Sequence, residues 1–168
     1  MKKSRFVLSA VTAGALAMTT SPLLAALGTS PQTASLAISA SIAARCTVSA
    51  TPVAFGTYDP TANSDQNGSI TIQCTKGTAA TISLDEGAAP AGRQMTRTAA
   101  PLDTLNYELY SDVAGGTVWG SGSGGSTVAY NAANSSSTTL TVFGRIPSGQ
   151  NNASVGNYAD TVTVTVTF

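Results

Sequence analysis

The sequence contains no histidine, and only 10% of its 168 residues are charged. Without histidine there is no Ser-His-Asp or Cys-His nucleophilic site, and the commonest protein ligand for metal ions is missing. The few carboxylates are scattered, so a glycosidase-like pair could arise only across loops. They are Asp59, Asp65, Asp85, Glu86, Asp103, Glu108, Asp112 and Asp160. We therefore predict a protein that is not an enzyme and needs no metal or cofactor.

The first 26 residues have the order of a secretory signal peptide. Three basic residues within positions 2–5 come first, an apolar stretch covers 6–18, and small residues end the pattern at 23–26. The apolar stretch is shorter than the roughly 20 residues of a bilayer span, which disfavours the alternative of a membrane anchor. We predict export, with cleavage after Ala25 or Ala26.

Export would also change the charge of the chain. Three of the eight basic residues would be removed, which leaves five basic residues against eight acidic ones and a formal charge of −3. A weakly acidic chain without a basic cluster binds nucleic acid poorly. We therefore predict no nucleic-acid partner.

Two cysteines, Cys46 and Cys74, lie in the part that would be exported. An even cysteine count in an oxidising compartment favours a disulfide. The alternatives are two free thiols or half of a metal site. A metal site is disfavoured because the chain has no histidine and no Cys-x-x-Cys spacing.

Short runs of alternating apolar and polar residues occupy the rest of the chain. β-branched residues dominate these runs, and Gly, Asn, Ser and Pro separate them. The predicted strands are 53–58, 69–74, 80–84, 105–110, 117–119, 127–130, 138–146 and 158–168, with a hairpin turn at Asn67-Gly68 and loops at 115–126 and 132–138. No stretch after the leader has the 3.6-residue apolar period of a helix. The pattern predicts one all-β domain, a sandwich or barrel, over residues 45–168.

A further alternating segment precedes the first cysteine, within residues 27–44. Its apolar residues fall on one face of a predicted strand, and serines occupy most of the other face. These apolar residues are Ala34, Leu36, Ile38, Ala40 and Ile42. Such a face needs a partner: the strand either completes the sandwich of its own chain or fills a groove on a neighbouring molecule. The residues alone favour neither alternative.

Several runs, taken in their order along the chain, resemble the spore coat protein U domain family. They resemble in particular its pilus members, the Csu-type major subunits of archaic chaperone–usher pili. The runs are Cys46-Thr47-Val48, Phe55-Gly56-Thr57-Tyr58, Ile70-Thr71-Ile72-Gln73-Cys74-Thr75-Lys76-Gly77, Leu105-Asn106-Tyr107-Glu108-Leu109-Tyr110-Ser111-Asp112, Trp119-Gly120, Val142-Phe143-Gly144-Arg145-Ile146-Pro147 and Gly156-Asn157-Tyr158-Ala159-Asp160-Thr161-Val162-Thr163-Val164. Together they cover nearly the whole chain after the leader.

The resemblance implies an immunoglobulin-like sandwich that is incomplete because its final strand is missing. A periplasmic chaperone would fill the gap first, and the N-terminal strand of the next subunit would replace the chaperone at an outer-membrane usher. The expected donor residues are then Ala34, Leu36, Ile38, Ala40 and Ile42. The residues expected to line the acceptor groove are Val162, Val164, Val166 and Phe168.

The expected function is therefore a structural subunit of a surface fimbria that supports adhesion and biofilm formation. Its expected partners are identical or related pilin subunits, the chaperone and the usher. The alternative is a non-polymerising secreted or coat-type surface protein that binds glycan or matrix.

Overall fold

The computed structural model describes residues 28, 30–89, 92–122 and 124–168. The predicted signal peptide, residues 1–26, lies outside the described residues. The chain divides into two units, Met1–Ala40 and Ser41–Phe168, and the strands in the described ranges belong to the second unit. Those ranges contain no helix, in agreement with the all-β prediction.

Strands form where β-branched residues alternate with polar ones, because a branched side chain packs well on a pleated, half-buried surface. In chain order they are β1 (Cys46–Thr51), β2 (Ser64–Cys74), β3 (Ala79–Leu84), β4 (Gln94–Arg97), β5 (Thr104–Asn106), β6 (Glu108–Tyr110), β7 (Val128–Asn131), β8 (Thr138–Ile146), β9 (Tyr158–Ala159) and β10 (Val164–Thr167).

The strands form three antiparallel sheets, with the orders β1-β2-β8-β6, β10-β3-β7 and β5-β4-β9. The inner face of the first sheet includes Ile70 and Ile72 of β2, and that of the second includes Ile82 and Leu84 of β3. All four side chains are buried in one core cluster. The two sheets therefore pack face to face as a β-sandwich.

The predicted disulfide between Cys46 and Cys74 is confirmed. It joins the start of β1 to the end of β2, where the two residues are direct partners in the ladder. The chain-entropy model gives a bond that closes a loop of this length about 3.5 kcal/mol of stabilisation. The bond therefore anchors β1, an edge strand with β2 as its neighbour in the sheet.

The predicted hairpin turn at Asn67-Gly68 is wrong. Both residues lie inside β2, opposite Phe143 and Val142 of β8. A Cβ at position 68 would come within 2.8 Å of the carbonyl oxygen of Thr51. Close approach of another backbone, and not a turn, is what requires glycine here.

Two predicted strands are each divided in the structure. The run 105–110 forms β5 and β6, and the run 158–168 forms β9 and β10, with each pair split between two sheets. The alternation continues through both breaks, so periodicity alone does not reveal them.

Other predicted boundaries are also wrong. Residues 53–58 form no strand, although Val53 and Phe55 pack against the core cluster. Of the predicted strand 117–119, Val118 and Trp119 form isolated bridges only, and β4 was not predicted. In these segments tertiary packing determines the backbone conformation more than strand propensity does.

Candidate functional site

An open groove of about 540 Å³ lies between β1 and β10. In the described part of the chain β1 pairs with β2 alone and β10 pairs with β3 alone, so each strand has one edge without a neighbour. One wall comes from residues 50–53 and the other from residues 158–164. The floor includes core side chains of both sheets, namely Ile70, Leu84, Leu109 and Val142.

On β1, the residues that face the core are uncovered. Val48 and Ala50 stand opposite Ile72 and Ile70 of β2, and directly opposed residues of antiparallel strands share a face. Ile72 is fully buried, whereas Val48 is 43% exposed and Ala50 is exposed as well. The apolar face of the sheet thus extends from β2 onto β1. The side chains that bury this face on β2 do not extend over β1.

β10 has the same property on the other side of the groove. Val164 and Val166 stand opposite the buried Leu84 and Ile82 of β3, yet both valines are only half-buried. Phe168, two residues beyond Val166, is 57% exposed. Both walls of the groove therefore present core-facing side chains that are incompletely covered.

Among the described residues, the backbone groups of the core-facing residues of β1 have no strand partner. The carbonyl of Arg45 accepts the N–H of Thr75 at 2.9 Å, which makes these two residues a hydrogen-bonded pair. Hydrogen-bonded and non-hydrogen-bonded pairs alternate along an antiparallel ladder. Val48 and Ala50 occupy non-hydrogen-bonded positions, so their N–H and C=O groups point away from β2.

The same alternation applies to β10. The N–H of Asp85 donates to the carbonyl of Thr163 at 3.1 Å, so the next pair, Val164 and Leu84, is non-hydrogen-bonded. The backbone groups of Val164 consequently point away from β3. An extended segment placed in the groove would find donors and acceptors on both walls.

Asp85 holds the chain where it enters β10. Its carboxylate accepts the N–H of Thr163 at 2.8 Å and the N–H of Gly87 at 3.1 Å. Burial alone would raise the pKa of Asp85, but these hydrogen bonds outweigh it and hold the pKa below its usual value. Asp85 is thus a charged anchor for the β10 wall at neutral pH.

Tyr107 and Asp160 form a hydrogen-bonded polar pair in the groove lining. The hydroxyl of Tyr107 donates to the carboxylate of Asp160 at 2.7 Å, and the ring of Tyr107 lies 6.4 Å from that of Phe55. Burial, together with this hydrogen bond, raises the pKa of Tyr107 far above its usual value. Asp160 also accepts the backbone N–H groups of Ala88 and Thr161. These polar groups satisfy one another, an arrangement typical of a structural site.

Two of the four residues predicted to line an acceptor groove lie in the β10 wall. Val162 and Val164 line the groove directly, and Val166 packs against the core cluster. Phe168 lies beyond the end of β10. The β1 wall was not predicted, although the alternation of Cys46, Val48 and Ala50 is the signal that could have identified it.

The five residues predicted as donors are all exposed, with Leu36 at 85% and Ile38 at 88%. The structure assigns no strand to residues 34–42 in the single chain, and their role as donors to a neighbouring molecule stays a prediction. A strand is defined by backbone pairing, and an alternating sequence supplies a face but not a partner.

Within the described ranges, no group of three or more Cys, Asp or Glu residues is placed to hold a metal ion. Two carboxylates are engaged in ion pairs: Asp65 with Arg145 at 2.6 Å and Glu108 with the buried Arg93 at 2.5 Å. None of the described residues form a helix with the length and hydropathy of a membrane span.

The fold is thus a β-sandwich with an open, apolar edge. Sequence comparison identifies the family to which the chain belongs. The sequence model of the Spore Coat Protein U domain matches residues 32–165, most of the chain. The chain belongs to the Spore Coat Protein U domain family.

Two similar proteins illustrate the range of this similarity. Protein U of Myxococcus xanthus is 34% identical over 187 aligned positions, which cover 100% of both chains. A chain in the crystal structure of the CsuC–CsuE chaperone–tip adhesion subunit pre-assembly complex, from the archaic chaperone–usher Csu pili of Acinetobacter baumannii, matches with a TM-score of 0.58 and 26% identity. That match covers 76% of this chain and 40% of the other, so this chain spans less than half of its length.

Proposed function

We propose that this protein is a structural subunit of a surface pilus, in which each subunit donates a strand to the next. The observation that supports the proposal is the groove between β1 and β10, where core-facing side chains are incompletely covered and, within the described residues, backbone groups point away from the neighbouring strand. An open sheet edge is a liability for an ordinary soluble protein. In a polymer the same edge accepts a strand from another molecule by β-strand addition.

The proposed donor is the segment 34–42 of a second copy. Its apolar residues alternate, and Leu36, Ile38 and Ile42 are at least 85% exposed. Burying these three side chains in a groove would contribute roughly 5–8 kcal/mol before the cost of ordering the segment. The serines of the opposite face would remain in contact with water.

The open groove also explains why such a subunit needs partners during export. Exposed core between two free edges promotes aggregation, so we propose that a periplasmic chaperone fills the groove until an outer-membrane usher coordinates its replacement. The fold similarity to a chain from a chaperone–subunit complex supports this partner. The proposed route is signal-directed export, transit through the periplasm and assembly into surface fimbriae that support adhesion and biofilm formation.

A second candidate function is supported by the description of the family as the Spore Coat Protein U domain, and by the alignment with Protein U over the full length of both chains. On this alternative the protein is a secreted coat-type component that binds glycan or matrix and does not polymerise. Electron microscopy and gel filtration of the mature chain separate the two candidates. Ordered fibres support the pilus subunit, and a stable monomer with affinity for sugars supports the coat component.

The donor assignment is tested by placing charge on one face of the segment. Leu36→Asp with Ile38→Asp should abolish surface fibres in cells that express the chaperone and usher, because two carboxylates would have to enter an apolar groove. The matched control is Ser35→Asp with Ser39→Asp, which adds the same charge to the opposite face and should leave fibres intact. Normal fibres from the first variant would remove the donor assignment.

A further inference from the structure

We infer that the three-residue linker Ala43-Ala44-Arg45 prevents this chain from placing all of its own donor residues in its groove, so that the occupant is a second copy. The inference rests on the proposed function and concerns the regulation of the same groove. The linker joins the proposed donor segment 34–42 directly to β1, which forms one wall of the groove.

A tethered segment has a large advantage over a free one. A short linker gives an effective concentration in the millimolar range, against about 1 μM for separate subunits. This roughly thousand-fold preference corresponds to about 4 kcal/mol in favour of self-closure. A chain that is to polymerise therefore needs a feature that opposes self-closure.

The length of the linker excludes one direction of insertion. A segment that runs parallel to β1 would need a crossover connection of about a dozen or more residues. With three residues between Ile42 and Cys46, the chain can place its own segment beside β1 only as an antiparallel hairpin. The parallel direction is open to a second copy alone.

The tightest hairpin has the wrong phase. The backbone groups of Arg45 point toward β2 and those of Cys46 point away from it, so the tightest hairpin closes on Cys46, with the loop Ala44-Arg45 and the pair Ala43 and Cys46. In that register Ser41 stands opposite Val48, whose side chain faces the core. Opposed residues share a face, and a shift of one residue exchanges the faces of a whole strand. The serines would enter the groove and the apolar residues would face water.

The correct phase requires a loop that this sequence disfavours. Pairing Ile42 with Cys46 makes a three-residue loop, whose last residue usually adopts a left-handed backbone conformation and is usually glycine. Arg45 occupies that position, and the conformation would break the bond from its carbonyl to Thr75. A longer loop that preserves this bond, with Ala40 opposite Cys46, leaves Ile42 outside the groove.

Two variants with the same Asn-Gly turn, but with lengths that differ by one residue, test the inference. The in-phase variant carries Arg45→Gly and one asparagine inserted before it, which closes an Asn-Gly loop between Ala44 and Cys46 and sets Ile42 opposite Val48. The out-of-phase variant carries Ala44→Asn and Arg45→Gly, with no insertion, which closes the loop between Ala43 and Cys46 and sets Ser41 opposite Val48. Asn-Gly favours the type I′ turn that joins hairpin strands in both variants.

Three readouts apply to the mature chain and both variants: fibre formation, amide hydrogen exchange of Val48 and Ala50 in the monomer at about 1 μM, and binding of a labelled peptide of residues 30–45. We expect the in-phase variant to be monomeric, to protect both amides and to bind the peptide at least about 100-fold more weakly than the native chain. The out-of-phase variant should form fibres and bind the peptide as the native chain does.

The inference is overturned if the in-phase variant polymerises and binds peptide like the native chain, or if the out-of-phase variant also closes on itself. A native chain that binds the peptide but never forms fibres would refute the pilus function, while the peptide and exchange measurements would still decide the role of the linker. If the in-phase turn impairs folding, inserting Asn-Gly between Ala44 and Arg45 gives a four-residue loop, Ala44-Asn-Gly-Arg45, that pairs Ala43 with Cys46 and is out of phase. Inserting Asn-Gly-Gly there gives the loop Asn-Gly-Gly-Arg45, which pairs Ala44 with Cys46 and restores the phase. Closure by that second chain alone supports the inference, whereas closure by both or by neither overturns it.

Discussion

The two ends of the described chain carry similar patterns and behave differently. Residues 34–42 alternate small or aliphatic residues with serine, and residues 161–168 alternate valine with threonine. The second segment contains β10, which pairs with β3 and half-buries its valines. The first segment has no strand, and its Ile38 is 88% exposed. Alternation therefore indicates that a segment can pair, whereas the availability of a partner determines whether it does.

This difference also separates stability from assembly. The side chains of β10 already contribute to the folded domain, because Val164 and Val166 pack against the core cluster. The exposed side chains of 34–42 can contribute only after a partner covers them. Substitutions in β10 should therefore affect folding, and substitutions in 34–42 should affect association.

The largest expected effect concerns the disulfide, which closes the loop from Cys46 to Cys74 and excludes residues 34–42. Replacing both cysteines with serine should lower the free energy of unfolding by about 3.5 kcal/mol, since the unfolded chain regains loop entropy. Urea unfolding measures this loss, and the native chain under reductant is the control. Exported subunit levels should fall as well, and unchanged melting and yield would contradict the role given to the bond.

A smaller effect distinguishes the two alternating segments directly. Val164→Asp should destabilise the monomer by about 2–3 kcal/mol, because its carboxylate would face the core-side surface beside Leu84. Ile38→Asp should change the free energy of unfolding of the monomer by less than about 0.5 kcal/mol, as expected for an exposed position, while it weakens assembly. Urea unfolding at low protein concentration, followed by electron microscopy, measures both. Equal destabilisation by the two variants would show that residues 34–42 already contribute to the folded monomer.

The sequence predicts the class of fold well because its signal is local. Strand periodicity and the absence of a helical period each depend on a few neighbouring residues, and an even cysteine count requires no knowledge of which residues are close in space. The alternation of Ile70, Ile72 and Cys74 thus identified the buried face of β2. The glycine at position 68 was misinterpreted because what requires it is the backbone near Thr51, which is remote in sequence.

The groove was only half predictable for the same reason. Its β10 wall has a strong valine alternation, but the β1 wall is short, and its exposure depends on which strand neighbours it in the sheet. Pairing over a long sequence separation is not encoded in any single window of residues. The contribution of Tyr107 likewise depends on Asp160, which lies 53 residues further along the chain.

The smallest expected effect is the change in the free energy of unfolding at acid pH. This change should involve the folded domain that contains β10 and not residues 34–42. The pKa of Asp85 is lowered in the folded protein, so its hydrogen bonds stabilise the fold above the unfolded pKa of about 3.9, and this stability is lost as the pH falls through the lower, folded value. Asp59, Asp65 and Asp112 share this direction, whereas residues 34–42 contain no ionisable side chain. Asp85→Asn should lower the free energy of unfolding at pH 7 and flatten its decline between about pH 5 and pH 2, measured by urea unfolding, with Glu86→Gln as the matched control. An unchanged pH profile for Asp85→Asn would mean that its bond to Thr163 does not secure the β10 wall.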